Sequence, residues 1–102
     1  SADDIVKAKE WLIEYLLKNP NPHLSAIVAL EQTQDLDVAG SIVEAARKHI
    51  KDPNKAPFIE QALNSLQLYA DQKAVLSLCE DLRENPIEEI SSIAKKMLQR
   101  QS

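Results

Sequence analysis

The sequence predicts an all-α domain: six helices arranged as stacked antiparallel helical hairpins. Three observations carry that expectation. Leu, Ile, Ala, Glu, Lys and Gln dominate the 102 residues, while Gly occurs once and the aromatic residues are Trp11, Tyr15, Phe58 and Tyr69. Ala and the unbranched residues among these lose little freedom on entering a helix, whereas a sheet protein calls for more Gly turns, Thr and aromatics. Apolar residues recur at intervals of three and four, the spacing that lines one face of a helix. Asx-Pro pairs at Asn21-Pro22, Asp52-Pro53 and Asn85-Pro86 punctuate the pattern, because proline lacks the backbone donor a helix interior needs.

The first helix spans residues 1–18. Ser1 and Asp4 form a capping pattern. Ile5, Ala8, Leu12 and Leu16 recur at helical spacing beside Val6, Ile13 and Leu17. Lys7, Glu10, Glu14 and Lys18 form the wet stripe, with Asp3→Lys7 and Glu14→Lys18 in the favourable i,i+4 order. Pro20 ends this helix. Asn21 caps the second, which opens on Pro22, runs to about Thr33 and turns Leu24, Ile27, Val28 and Leu30 inward. Asp35 or Asp37 caps the third, whose apolar face is Val38, Ala39, Ile42, Val43, Ala46 and Ile50. Gly40 in its first turn either allows close contact or marks a later start at Ser41.

Pro57 opens the fourth helix, reaching about Leu68, with Ile59, Ala62, Leu63 and Leu66 inward. Asp71 caps the fifth, where Val75, Leu78, Cys79 and Leu82 form the stripe. Asn85 caps the sixth with Pro86 first and Glu88 completing the box; Ile90, Ile93, Ala94 and Met97 face the core.

The prolines at 22, 53 and 86 lie 31 and 33 residues apart. With an offset of 36, Ala26, Ile27 and Leu30 fall on Ala62, Leu63 and Leu66, and Asp35 falls on Asp71. Ala39, Ile42, Val43, Ala46 and Arg47 fall on Val75, Leu78, Cys79, Leu82 and Arg83. Two helical-hairpin repeats, 21–52 and 53–85, are therefore flanked by a capping helix at 1–20 and a capping helix or half-repeat at 86–102, all within a single domain.

These units, "DLDVAGSIVEAARKHI" and "YADQKAVLSLCEDLRE", resemble HEAT or armadillo repeats, whose second helix follows a short Asp-bearing turn and carries a basic residue near its end. The resemblance covers residues 22–98 and implies a right-handed superhelix that binds other proteins on the concave face of its second helices. The linkers depart from it in length, and the third unit stops after one helix. The stretch from Leu76 to Leu98 is similar to the helical N-terminal domain of S-II-type transcription elongation factors, through Leu78, Leu82, Glu89, Ile90, Ala94, Lys95 and Leu98. That family implies a compact bundle docking short disordered motifs, but its usual terminal Trp is replaced by Gln99-Arg100-Gln101. Helix count and length also fit a death-fold-like adaptor.

One cysteine, Cys79, excludes an internal disulfide and favours a reducing compartment, cytoplasmic or nuclear. No run of 18 apolar residues marks a membrane span. A net charge of −4 argues against general nucleic-acid binding. His23 and His49 are far apart, with no partner at metal-ligand spacing; His23 reads as a surface residue and His49 as a dipole partner at a helix end. Cys79, on an apolar stripe beside Glu80 and Asp81, reads as a buried hydrophobe. Adjacent carboxylates point about 100° apart on a helix and do not converge. A phosphate loop and a nucleophile elbow are absent.

The expectation is a protein-interaction module or scaffold, not an enzyme, with no cofactor or metal and another protein or peptide as partner. It stands alone or within a longer repeat protein. The second helices, Asp37–Ile50 and Asp71–Glu84, offer Glu44, Arg47, Lys48 and Lys51, then Lys73, Glu80 and Arg83 as partner-binding residues. Two basic clusters, Arg47/Lys48/Lys51/Lys55 and Lys95/Lys96/Arg100, read as solvated faces or as a patch for an acidic peptide or a phosphate backbone. Trp11 and Tyr15, one turn apart, either cover the end of the core or form an exposed anchor.

Overall fold

The structure is a computed structural model that describes residues 2–101, and side chains other than those of residues 2, 3 and 5. Six α-helices form, as expected: α1 (Ala2–Lys18), α2 (Ser25–Glu31), α3 (Val38–His49), α4 (Ala56–Leu66), α5 (Lys73–Leu82) and α6 (Glu88–Arg100). Short 3₁₀ turns at Pro53–Lys55 and Gln67–Tyr69 flank α4. No strand occurs among the described residues. The capping pattern at Ser1, the Asp3→Lys7 pair and the place of Ile5 in the stripe lie outside what is described.

Two helices, α2 and α6, start later than their Asx-Pro signals predict. Asn21 does not cap α2. Its own N–H is donated to Asn19 Oδ1 at 2.8 Å, and Pro22 is buried. The His23 N–H goes to Tyr15 Oη at 2.8 Å, and the His23 ring accepts the Ser25 N–H at 3.1 Å. Local side-chain bonds thus hold the backbone out of the helix for one turn. Asn85 likewise accepts the Ile87 N–H at 2.9 Å, so α6 begins at Glu88 and the predicted box with Asn85 does not form. Glu88 and Glu89 now occupy the first turn of α6, where the dipole favours them. Gln72, not Asp71, precedes α5. Asp37 precedes α3 without a side-chain cap, and the helix does not wait for Ser41. Asp52 behaves as its type suggests: its Oδ1 accepts the Asn54 N–H at 3.0 Å at the turn leading into α4.

The main helix contacts follow alternation. α1 packs on α3 and α3 on α5; α2 packs on α4 and α4 on α6. These are two layers, joined through α1·α2, α3·α4 and α5·α6. The thinnest dimension, 16 Å between Cα extremes, matches two helices spaced about 8–10 Å apart. Within a layer, neighbours run parallel. Lys48 at the end of α3 donates to the Leu17 carbonyl at the end of α1. Arg100 at the end of α6 donates to Gln67 Oε1, just past α4, at 2.8 Å. The α1–α2, α3–α4 and α5–α6 junctions consequently share one edge, and all five prolines lie there or in the first turn of α4.

The core between the layers holds Leu16, Ile27, Leu30, Ile42, Ile59, Leu63, Leu66, Leu78, Leu82, Ile90 and Met97. These come from the predicted stripes, of which Leu24, Val28, Ile50 and Ile93 are only half-buried, while Phe58, Ala45 and Tyr69 are buried in addition. Helix α1 departs most from its pattern: Ala8 and Val6 are exposed, and Leu16 is its fully buried side chain. Its apolar residues surround the helix, but α2 and α3 cover only one side.

Candidate functional site

The uncovered side of α1 carries the most distinctive surface. Trp11 is 64% exposed. Its ring stacks on Tyr15 one turn later, with centroids 5.6 Å apart and planes 13° from parallel. Tyr15 is half-buried against the core, and its hydroxyl is pinned by the His23 N–H. Of the two sequence readings, covering the core suits Tyr15 alone; Trp11 stands out from it. Beside the pair lies a groove of about 350 Å³ lined by Trp11, Glu14, Tyr15, Lys18, Asn19 and Pro20. A Glu14–Lys18 ion pair at 3.0 Å runs along its rim. Tyr15 is held at both ends, so little rotamer freedom remains to its side chain.

The predicted second-helix residues are all exposed, yet several are already engaged with the protein itself. Arg47 donates to Asp81 Oδ2 at 2.7 Å and to Ser77 Oγ at 3.3 Å, joining α3 to α5. Lys48 closes the end of α1 through the Leu17 carbonyl, where a cation suits the helix dipole. Arg83 reaches Glu80 at 3.2 Å and Glu84 at 3.6 Å on its own segment. Glu44, Lys51 and Lys73 point to solvent. Sequence reasoning missed Asp81 as the partner of Arg47. The repeat offset hides it, because the matching position in α3 is Ala45.

A second groove, about 400 Å³, opens on the proline edge between Ile50, Pro53, Ala56 and Ile59 on one wall and Pro86, Ile87 and Ile90 on the other. Lys51, Asp52 and Asn85 complete its lining. Lys55, from the same turn, donates to Asn21 Oδ1.

His49 is not the charged dipole partner expected. It is half-buried, edge-on to Phe58 with centroids 5.5 Å apart. Its Nε2 has no hydrogen-bond partner among the described residues. Burial, then the Lys55 charge, lowers its pKa and favours the neutral ring. Cys79 is buried as predicted, its Sγ 3.8 Å from Met97 Sδ. Burial, then Glu80, pushes its thiol up to about 11, so it stays protonated near neutrality. Lys9 and Asp35 pair at 2.5 Å between α1 and the α2–α3 turn. Their hydrogen bond raises the Lys9 pKa and lowers that of Asp35, which the Asp37 N–H lowers further. Among the described residues, no group of three His, Cys, Asp or Glu side chains is placed to hold a metal ion, and no helix is long and apolar enough to cross a membrane.

No protein-family model, curated protein or solved structure matches this chain.

Proposed function

We propose that this chain is a non-catalytic protein-interaction module that docks its partner on the Trp11–Tyr15 face of α1. The single observation carrying the reading is Trp11, 64% exposed on a tyrosine pinned from behind. Tryptophan and tyrosine are enriched among residues that dominate binding energy, and an exposed tryptophan stacked on a held partner is expensive surface to leave in water. The alternate-helix layering supports the stacked-hairpin reading of HEAT or armadillo type. It fits less well with a death-fold bundle, or with an elongation-factor-type domain whose sixth helix crosses the others, since α6 packs along α4 and α5 as the next rung.

A second reading keeps the partner on the second helices, where Glu44, Lys51 and Lys73 are free of ion pairs among the described residues. The two readings separate in one experiment. Immobilised wild type, Trp11→Ala and Arg47→Glu/Arg83→Glu proteins are exposed to lysate, and retained proteins are quantified by mass spectrometry. The α1 reading expects a set held by wild type and the charge variant but reduced at least about 30-fold in apparent affinity by Trp11→Ala, the scale of a hot-spot loss. Loss confined to the charge variant favours the second helices, and equal retention by all three overturns both.

A further inference from the structure

Charge falls unevenly on the grooves of this surface. The grooves at α1, at the proline edge and beside Arg83 each carry both signs: Glu14 with Lys18, Asp52 with Lys51, Glu84 with Arg83 and Lys95. A further groove, about 220 Å³, opens between α4 and α6 and is lined by Asn64, Gln67, Ile93, Lys96, Met97 and Arg100. Its charged lining is two cations and no carboxylate, in a chain of net charge −4. The basic cluster of α6 is thereby divided. Lys95 goes to the groove beside Arg83, while Lys96 and Arg100, one turn apart, share this one. In the other basic cluster, Arg47, Lys48 and Lys55 are taken by Asp81, the Leu17 carbonyl and Asn21. Lys96 makes no ion pair among the described residues. Arg100 has a neutral partner: its Nη1 donates to Gln67 Oε1 at 2.8 Å, and Gln67 Nε2 donates to Asn64 Oδ1 at 3.2 Å. That relay positions the guanidinium without neutralising it. Below the polar groups lie Met97, buried, and Ile93, half-buried, at the packed contact of α4 with α6.

We propose that the α4–α6 groove binds an extended acidic peptide of another protein, with two glutamates at alternate positions reaching Lys96 and Arg100. Like charges one helical turn apart repel, and a pair of carboxylates replaces that repulsion with attraction. Residues four apart rise about 6 Å along a helix. Alternate residues of an extended chain lie about 7 Å apart on one face, so the two spacings match. An arginine carries five N–H donors; with one held by Gln67, the guanidinium keeps others for a carboxylate. The aliphatic stems of the glutamates cover Ile93 and Met97. A nucleic acid suits the groove less well, because two cations release few counterions and the acidic remainder of the chain opposes a polyanion. The groove lies on the α2–α4–α6 layer and the Trp11 face on the other, so the inference stands or falls independently of the α1 reading.

Amide-correlation NMR of the isotope-labelled chain tests it, at about 0.15 M salt so that distant charges are screened. Three probes are titrated to about 5 mM, a range that covers weak binding: the capped peptide Gly-Ser-Glu-Ser-Glu-Ser-Gly, the same peptide with glutamine for both glutamates, and a single-stranded oligothymidylate. The glutamate peptide is expected to bind with a dissociation constant on the order of 1 mM. It should move the side-chain amide signals of Asn64 and Gln67 and the backbone signals of Ile93 to Arg100, while the glutamine peptide moves neither. Lys96→Glu/Arg100→Glu, at two exposed positions, should weaken that binding at least about tenfold and keep the dispersed spectrum of a folded chain. Absence of these shifts in the wild type overturns the inference. So do equal shifts with the glutamine peptide, or shifts centred on Arg47 and Lys51. Tighter binding of the oligothymidylate at the same signals would give the groove to phosphate and overturn the peptide as its occupant.

Discussion

Leu16→Ala tests whether α1 belongs to the same cooperative unit as the rest of the stack. Leu16 is 0% exposed and is the fully buried side chain of α1, a helix that packs on both α3 and α2. Truncating a buried leucine costs its transfer free energy plus a cavity term, about 3–4 kcal/mol at a site that cannot collapse. That is a large part of the ~5–15 kcal/mol expected for a domain of this size. At about 4–8 °C per kcal/mol for small domains, even the low end lowers the melting temperature by roughly 12 °C. The assay is urea unfolding followed by two probes. Trp11 fluorescence reports α1, and ellipticity at 222 nm reports all six helices. Both midpoints are expected to fall together, with an unchanged denaturant slope. A loss below about 1 kcal/mol would refute the claim that Leu16 anchors α1. A tryptophan transition that precedes the helical one would refute the claim of one unit.

Glycine use in this chain is inverted, and two substitutions should exploit it. Gly40 lies within α3 with nothing within 4 Å of where its Cβ would stand, while Gln34 holds φ at 53° in the α2–α3 turn. Gly40→Ala and Gln34→Gly should each stabilise by about 0.5–1 kcal/mol, read as a raised urea midpoint; a lowered midpoint in either counts against the backbone assignment. Folding should also weaken on acidification. The folded-state pKa of His49 is depressed, so below about pH 6.5 the unfolded chain binds the extra proton and stability falls towards the folded pKa. His49→Asn should flatten that part of the profile, and an unchanged slope refutes the assignment. Cys79, with its thiol near 11, should resist Ellman's reagent in the folded protein at pH 8 and react only at the rate of opening; prompt labelling would show that the helices packed on α5 do not cover it.

The number of helices, their kind and their buried stripes were legible because they depend on neighbours three and four residues away. The stripe of α5, Val75, Leu78, Cys79 and Leu82, is wholly buried, as the spacing requires. Prolines and Asx residues marked the breaks for the same local reason. Helix starts were less legible. The Asn21 and His23 N–H groups went to Asn19 Oδ1 and Tyr15 Oη, and Asn85 Oδ1 took the Ile87 N–H, so neither Asn became the helix cap its place before proline suggested. What only the tertiary structure decided is which face of each helix another helix covers. Trp11 and Leu16 lie on the same short helix and are both strongly apolar, yet one is exposed and the other sealed, because α2 and α3 pack on a single side. Arg47 meets Asp81 across 34 positions of sequence, and His49 loses its solvent to Phe58 and its surroundings. Periodicity along a chain specifies an apolar stripe; it carries no information about how many neighbours arrive to bury it.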